Sequence, residues 1–175
     1  MKHGANMFSP AQIEATLAEL KGLAAEPPQT VAWSAPGGEV LEADFTAVDS
    51  LGCAFRELRL EVPALAAAAF DIVIGWADDF CRRVNYLLEP LARVEQDSGA
   101  QVVLARSSPP DRQPARTAFY EIRLHAPNRF SLTRRFTTPD EPTPQPLDMF
   151  VTHELFQKLV RDLVSSIPGP AAGAK

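Results

Sequence analysis

One long apolar-periodic stretch constrains the fold of this chain more than any other. Between Pro63 and Glu89, apolar side chains recur at spacings of three and four, which places them on one face of an α-helix. These residues are Val73, Trp76, Ala77, Phe80, Val84, Leu87 and Leu88. Pro90 ends the pattern, because proline lacks an amide proton and crowds the preceding turn. The sequence therefore predicts one long central helix of about 25 residues, whose apolar face a sheet or another subunit must cover.

Two further helices are predicted near the ends of the chain. The segment from Ser9 to Gln12 has the pattern of a capping box, with proline at the first helical position. That helix is expected to end by Glu26, because two prolines follow it. Near the C terminus, Thr152 is a suitable N-cap for a last helix with an apolar stripe.

Period-two alternation between the helices predicts strands that are joined by short turns. The predicted strands are residues 30–34, 39–48, 53–62, 91–96, 101–106, 117–125 and 130–137. Within the third, the alternation changes phase, which indicates a β-bulge near Arg56 and Glu57. Short connections make neighbouring strands antiparallel. The predicted fold is therefore α+β, with antiparallel meander sheets packed against the central helix in the order α-β-β-β-α-β-β-β-β-α.

The length and composition fit one domain. Hydrophobic residues make up 46% of the chain and charged residues 22%, a balance that is typical of globular rather than disordered proteins. We expect a flexible N terminus at 1–8, a single α+β domain at 9–166 and a disordered tail at 167–175. A polar loop at 107–115 is expected to be mobile, and 138–146 to form an extended linker. No signal-peptide pattern or bilayer-spanning run is evident, so the expected location is the cytoplasm, without a membrane partner.

Residues that could support catalysis are scattered. Cys53 and Cys81 lack C-x-x-C spacing, which favours two buried free thiols over a structural disulfide. The chain has no G-x-S-x-G motif, no Walker-type phosphate loop and no zinc-ligand spacing among its histidines. The sequence therefore predicts no cofactor and no metal site. It favours a non-enzymatic protein, with an enzyme whose site residues are dispersed along the chain as an open alternative.

An arginine-rich segment differs from the acidic background of the chain, whose formal net charge is −5. Residues 101–137 contain seven arginines and only two acidic residues. Arg123 and His125 share one face of a predicted strand, and Arg134 or Arg135 is expected opposite them on the next strand. Arginine forks suit phosphate and carboxylate groups, so these four residues are a candidate anion site. The alternative interpretation is an ordinary charged face of a sheet.

Two other features bear on what the chain binds. Trp33 is a further candidate binding residue, because a half-exposed tryptophan in a short edge strand marks some interfaces. Nucleic acid is not an expected partner, since the alternation turns several aromatic residues near the arginines inward.

The size, acidity and order of elements resemble the type III secretion chaperone-like fold. The resemblance covers Ser9 to Ser166, and no residue motif accompanies it, so no site residues are transferred. It implies a protein that dimerises and holds a partner polypeptide against its surface. The excess of arginine over lysine, 13 against 4, also indicates a bacterial source. We therefore predict a chaperone- or adaptor-like protein-interaction module that forms a homodimer, with anion or small-molecule binding on the arginine-rich sheet face as the alternative.

Overall fold

Three α-helices lie on one side of a ten-stranded antiparallel sheet in the computed structural model, which describes residues 7–169. The helices are α1 (Pro10–Glu19), α2 (Phe70–Arg83) and α3 (His153–Ser166). The strands are β1 (Leu23–Ser34), β2 (Val40–Val48), β3 (Gly52–Glu61), β4 (Leu91–Asp97), β5 (Val102–Ser107), β6 (Asp111–Arg112), β7 (Thr117–His125), β8 (Arg129–Thr137), β9 (Gln145–Leu147) and β10 (Met149–Thr152). No helix within this part of the chain is long and apolar enough to cross a membrane.

The sheet consists of two meanders that meet at β3 and β8. The strand order is β1-β2-β3-β8-β7-β5-β4, and every pairing is antiparallel. The α+β class and the antiparallel sheet predicted from the sequence are confirmed. The short strands β6, β9 and β10 are additions that the alternation did not indicate, because two to four residues are too few to show a period.

The prediction of one long central helix is wrong. Helix α2 spans only Phe70–Arg83, and Pro63–Leu65 forms a separate 3-10 turn. Val84 leaves the helical region with φ −89° and ψ 73°. Leu88, which the helical pattern placed on the buried face, is 76% exposed. The apolar spacing thus continues through residues whose backbone is no longer helical.

Side-chain contacts hold the segment after α2 in its non-helical path. Tyr86 donates its hydroxyl proton to Asp162 on α3 at 2.8 Å. Glu89, which a continued helix would expose, is buried and accepts a hydrogen bond from Arg134 at 2.6 Å. These long-range partners outweigh the local tendency of the segment to stay helical.

The first helix begins as predicted and ends earlier. The capping box is confirmed, with the Ser9 and Gln12 side chains each accepting a backbone hydrogen bond from the other residue. The helix stops at Glu19, and Gly22, at φ 94°, turns the chain into β1. The Pro27–Pro28 pair lies within β1, where a register shift interrupts the pairing with β2. Prolines are tolerated there because β1 is an edge strand.

The β-bulge predicted in β3 is confirmed. Arg56 and Glu57 stand opposite Asp44 alone, so β3 carries one extra residue at this point. Because of that extra residue, Phe55 and Leu58 both turn towards the helices although they are three positions apart, and both are fully buried.

The last two strands fill a gap between the splayed ends of β3 and β8. Strand β9 pairs with the end of β8, and β10 pairs with the beginning of β3. Asp148, at the turn between them, accepts hydrogen bonds from Arg56 Nε at 3.0 Å and Thr46 Oγ1 at 2.8 Å. The segment predicted as an extended linker therefore ends inside the sheet.

The core lies between the sheet and the three helices. Phe156 of α3 packs at ring-centroid distances of 5.4 Å from Phe45 and 5.2 Å from Phe55. Phe8 is also buried in this core, although it belongs to the N-terminal segment expected to be flexible. The rest of that segment, residues 1–6, and residues 170–175 of the expected tail lie outside the described part of the chain.

Candidate functional site

The side of the sheet opposite the helices is polar, and we call it the open face. No helix of the described chain packs against it. The predicted alternation in β7 is confirmed, since Tyr120, Ile122 and Leu124 are buried towards the helices while the residues between them point the other way. The charged residues of the open face include Glu42, Asp44, Glu57, Arg59, Glu61, Arg106, Glu121, Arg123, His125, Arg129 and Arg135.

Three arginines surround one carboxylate on this face. The side chain of Glu121 is 7% exposed and lies 2.9 Å from Arg106, 3.2 Å from Arg123 and 3.7 Å from Arg135. Strand register explains the convergence, because Arg106 pairs directly with Glu121 and Arg123 follows two residues along β7. We call these four residues the arginine cluster. Three positive charges and one negative charge give it a net charge of +2.

The hydrogen bonds within the arginine cluster are incomplete. Arg106 donates two hydrogen bonds to Glu121 and Arg123 donates one. Arg135 Nε, at 3.7 Å from the carboxylate, is buried and has no hydrogen-bond acceptor among residues 7–169. A guanidinium carries five donors, so most of the donors in this cluster are not used by Glu121.

The neighbouring strands carry the inverse arrangement, with one arginine among three carboxylates. Arg59 lies 3.0 Å from Glu42, 2.6 Å from Asp44 and 2.9 Å from Glu57. The hydrogen bond from Arg59 holds the pKa of the Asp44 carboxyl below its usual value. We call these four residues the carboxylate cluster, and their charges sum to −2.

Strand β8 separates the two clusters. Ser131 pairs with Arg59 and Arg123 in the adjacent strands, and Thr133 likewise pairs with Glu57 and Glu121. Two strand spacings, about 10 Å, therefore divide the centres of opposite charge. Ser131 and Thr133 make the middle of this strip polar and uncharged, and Arg129 and Arg135 project from the same face of β8 at its two ends.

A shallow depression lies at one end of this strip. It has a volume of about 380 Å³, and its lining includes His125, Arg129 and Ser131 on one side and Glu57 and Arg59 on the other. His125 and Arg129 are direct cross-strand partners. Both signs of charge therefore border the same depression.

The five predicted binding residues do not form one site. Arg123 and Arg135 come together in the arginine cluster, and His125 is on the same face beside Arg129. Arg134 points to the other side of the sheet, and Trp33 lies in the core. The Trp33 indole, 6% exposed, donates its Nε1 proton to Thr16 Oγ1 at 3.0 Å.

Arg134 belongs to a buried polar network on the helix side. It pairs with Glu89 at 2.6 Å, and its guanidinium lies 4.8 Å from the centre of the Tyr120 ring. Ser107 contributes a second hydrogen bond to Glu89 and accepts one from the Tyr120 amide. Burial raises the pKa of the Glu89 carboxyl despite the adjacent arginine. This network anchors the segment between α2 and β4.

Two members of the arginine cluster were not candidates at the level of sequence. The alternation of β7 places Glu121 on the same face as Arg123, but nothing in the local sequence marks it as a site residue. Arg106 lies on β5, and its place depends on the register between β5 and β7, which are separated by a nine-residue stretch that contains β6. Strand register, and not local spacing, therefore brings the residues of the arginine cluster together.

The cysteines show no sign of nucleophilic activation. Both are free thiols, as predicted, with Cys53 buried and Cys81 half-buried. Burial raises the pKa of Cys53 to about 12 and that of Cys81 to about 11, so both stay protonated at neutral pH. Across residues 7–169, no three His, Cys, Asp or Glu side chains are arranged to hold a metal ion.

The open face is therefore the part of the described chain whose geometry most favours binding. Its arginine cluster has excess positive charge and guanidinium donors that Glu121 does not use, and no helix of residues 7–169 packs against this face. Comparison with protein-family models, with curated proteins and with solved structures finds no match to this chain, so its function is inferred from this geometry alone.

Proposed function

We propose that this protein is a non-enzymatic binding module, and that the arginine cluster on its open face binds an anionic group, phosphate or carboxylate, of a ligand or partner. One observation carries the proposal: a single buried carboxylate is shared by three arginines. Glu121 neutralises one of the three charges, and two remain in excess.

The unused donors supply a reason for an anion to bind. The three arginine side chains are 37–45% exposed, so their guanidinium groups are within reach of solvent. Hydrogen bonds between guanidinium and oxyanion are charge-assisted and about twice as strong as neutral ones. A buried donor without an acceptor costs about 1–3 kcal/mol, and an oxyanion that rearranges the cluster to reach Arg135 would recover part of that cost.

The test is calorimetric titration of inorganic phosphate. Wild type should bind, and Arg123→Gln/Arg135→Gln should bind at least about tenfold more weakly, since each lost charge-assisted hydrogen bond is worth about 1.5–3 kcal/mol. The matched control is Arg161→Gln, which removes an exposed arginine from α3 on the other side of the sheet. It should bind phosphate as wild type does. Equal affinity in all three proteins, or no binding by folded wild type, would contradict the proposal.

A second candidate function is a chaperone- or adaptor-like module that holds a partner polypeptide, as the resemblance to the type III secretion chaperone-like fold implies. Two large apolar side chains at one end of the sheet favour it. Leu51 in the β2–β3 turn and Phe150 on β10 are each 78% exposed. Affinity capture with wild type and with Phe150→Ala tests this candidate. If a partner polypeptide binds at this end of the sheet, wild type should retain it and the variant should lose it. Equal capture by both proteins would reject the candidate.

A further inference from the structure

The shallow depression on the open face has walls of opposite charge. Its lining includes Glu42 and Glu57 on one side, His125 and Arg129 on the other, and Ser131 between them. Its volume of about 380 Å³ falls within the range of small-molecule sites, about 300–1,000 Å³. A ligand that carries both signs of charge matches such a site.

We propose that this depression binds a short zwitterionic peptide. The ammonium group of the peptide lies on Glu42 and Glu57 of the carboxylate cluster, and its carboxylate lies between Arg123 and Arg129. This inference rests on the proposed function, since Arg123 belongs to the arginine cluster and the peptide carboxylate is the anion that it binds.

The carboxylates of the depression favour a zwitterion over a simple anion. Glu42, Glu57 and Glu61 all line it. An anion that filled the depression would lie against these three like charges, whereas an ammonium group at the same end pairs with them. The carboxylate side of the depression therefore selects for a positive group on the ligand.

The anion end has arginine donors that the protein leaves open. Arg123 pairs with Ser131 and His125 pairs with Arg129, so Arg123 and Arg129 are diagonal neighbours on one face. Diagonal neighbours in antiparallel strands are about 7–8 Å apart, within reach of long side chains. The Arg129 side chain is 71% exposed and lies 3.9 Å from the Glu61 carboxylate, which is beyond hydrogen-bond distance. One ligand carboxylate can therefore accept hydrogen bonds from both arginines.

The ammonium end has acceptors that Arg59 does not use. Arg59 donates to Oε2 of Glu42 and to Oε2 of Glu57, and within residues 7–169 the Oε1 atom of each accepts no hydrogen bond. These two side chains are 38% and 31% exposed. An ammonium group has three donors and no acceptor, so it suits a pair of free carboxylate oxygens. The net charge of −2 on the carboxylate cluster already includes Arg59, so the attraction remains.

The separation of the two ends determines the length of the ligand. Strands β3 and β7 lie on either side of β8, two strand spacings or about 10 Å apart. An extended residue spans about 3.3–3.6 Å, so three residues reach from one end to the other. A single amino acid reaches only one end. Ser131 lies beneath the bridging peptide groups, where its hydroxyl can donate or accept a hydrogen bond.

Calorimetric titration of triglycine and N-acetyl-triglycine tests the proposal. Acetylation removes the ammonium charge and leaves the carboxylate in place. Wild type should bind triglycine at least about tenfold more tightly than the acetylated peptide, and at least about tenfold more tightly than glycine, which cannot bridge the two ends. Equal affinity for triglycine and N-acetyl-triglycine, or no triglycine binding by folded wild type, would overturn the inference.

The variant Glu42→Gln/Glu57→Gln identifies the ammonium end. The preference for triglycine over N-acetyl-triglycine should largely disappear in this variant, because the carboxylates that contact the ammonium group are gone. The matched control is Glu14→Gln/Glu19→Gln, which changes two exposed glutamates of α1 on the other side of the sheet and should keep the preference. A tenfold preference that survives in the folded Glu42→Gln/Glu57→Gln protein would contradict the proposed site.

Phosphate titration separates this inference from the proposed function. The arginine cluster is intact in Glu42→Gln/Glu57→Gln, so this variant should bind phosphate at least as tightly as wild type does. Phosphate binding by wild type without a preference for triglycine over N-acetyl-triglycine would reject the zwitterionic ligand alone. Failure of folded wild type to bind phosphate would reject the proposed function.

Discussion

Replacement of Arg134 with methionine is expected to lower the free energy of unfolding by about 3–5 kcal/mol at pH 7. The side chains of Arg134 and Glu89 are 9% and 7% exposed and lie 2.6 Å apart. Loss of one partner leaves the other as an uncompensated charge in the interior, which costs more than the pair itself contributes. Chemical denaturation of wild type and variant measures the difference.

Two comparisons isolate the buried charge as the cause. Arg134→Met/Glu89→Leu removes both charges and should recover most of the stability, because an apolar pair of similar volume replaces an ion pair at little net cost. Arg135→Met changes the next residue of β8, on the open face, and should cost only about 0–1 kcal/mol. Equal destabilisation in the single and double variants would contradict this explanation.

The loss of stability in Arg134→Met should depend on pH. Burial already raises the pKa of Glu89 in the folded state, and without Arg134 the pKa should rise further. A raised folded-state pKa means that the folded protein binds the proton more readily than the unfolded chain, so stability increases as pH falls through that window. The deficit of Arg134→Met should therefore shrink from pH 7 towards pH 5. A deficit that stays constant with pH would show that lost packing, not charge, is responsible.

Replacement of Phe156 with alanine should also lower the free energy of unfolding by about 3–5 kcal/mol. Phe156 is fully buried, and its ring lies among those of Trp33, Phe45 and Phe55 at centroid distances of 5.2–6.4 Å. Its removal leaves a cavity where α3 meets the sheet, and the surrounding rings cannot collapse fully into it.

Phe150 provides the matched control. It is also a phenylalanine, lies on β10 six positions before Phe156, and is 78% exposed. Phe150→Ala should change stability by no more than about 0.5 kcal/mol, because it removes no core contact. A similar loss for both alanine variants, measured by the same denaturation, would mean that α3 does not contribute to the core as described.

The sequence predicted best those features whose causes are local. The capping box at Ser9 and the Thr152 cap were correct, because each depends on residues three positions apart. The bulge at Arg56 and Glu57 was predicted correctly, because the apolar alternation changes phase there. The long helix was wrong because the polar and aromatic residues after Arg83 have partners far along the chain, and spacing alone does not reveal them.

The candidate site was only partly predicted, because alternation assigns a residue to a face but does not show which residues of other strands meet it. Arg123 was assigned to the correct face by alternation, and the same rule applied to β8 separates Arg134 from Arg135, since Phe130 and Leu132 fix its inward phase. The convergence of Arg106 on Glu121 required the register of β5 against β7, which no local pattern supplies. Trp33 is buried because helix α1 supplies the acceptor for its indole, a non-local contact.

The measurement that tests the central claim most directly is the phosphate affinity of Glu121→Gln. Glutamine keeps the shape of the side chain and removes its charge, which raises the net charge of the arginine cluster from +2 to +3. If the excess positive charge binds anions, the variant should bind phosphate more tightly than wild type, and the gain should diminish as salt is added. A folded Glu121→Gln protein with unchanged or weaker phosphate affinity would contradict the account, and would show that the three arginines serve only to pair with Glu121.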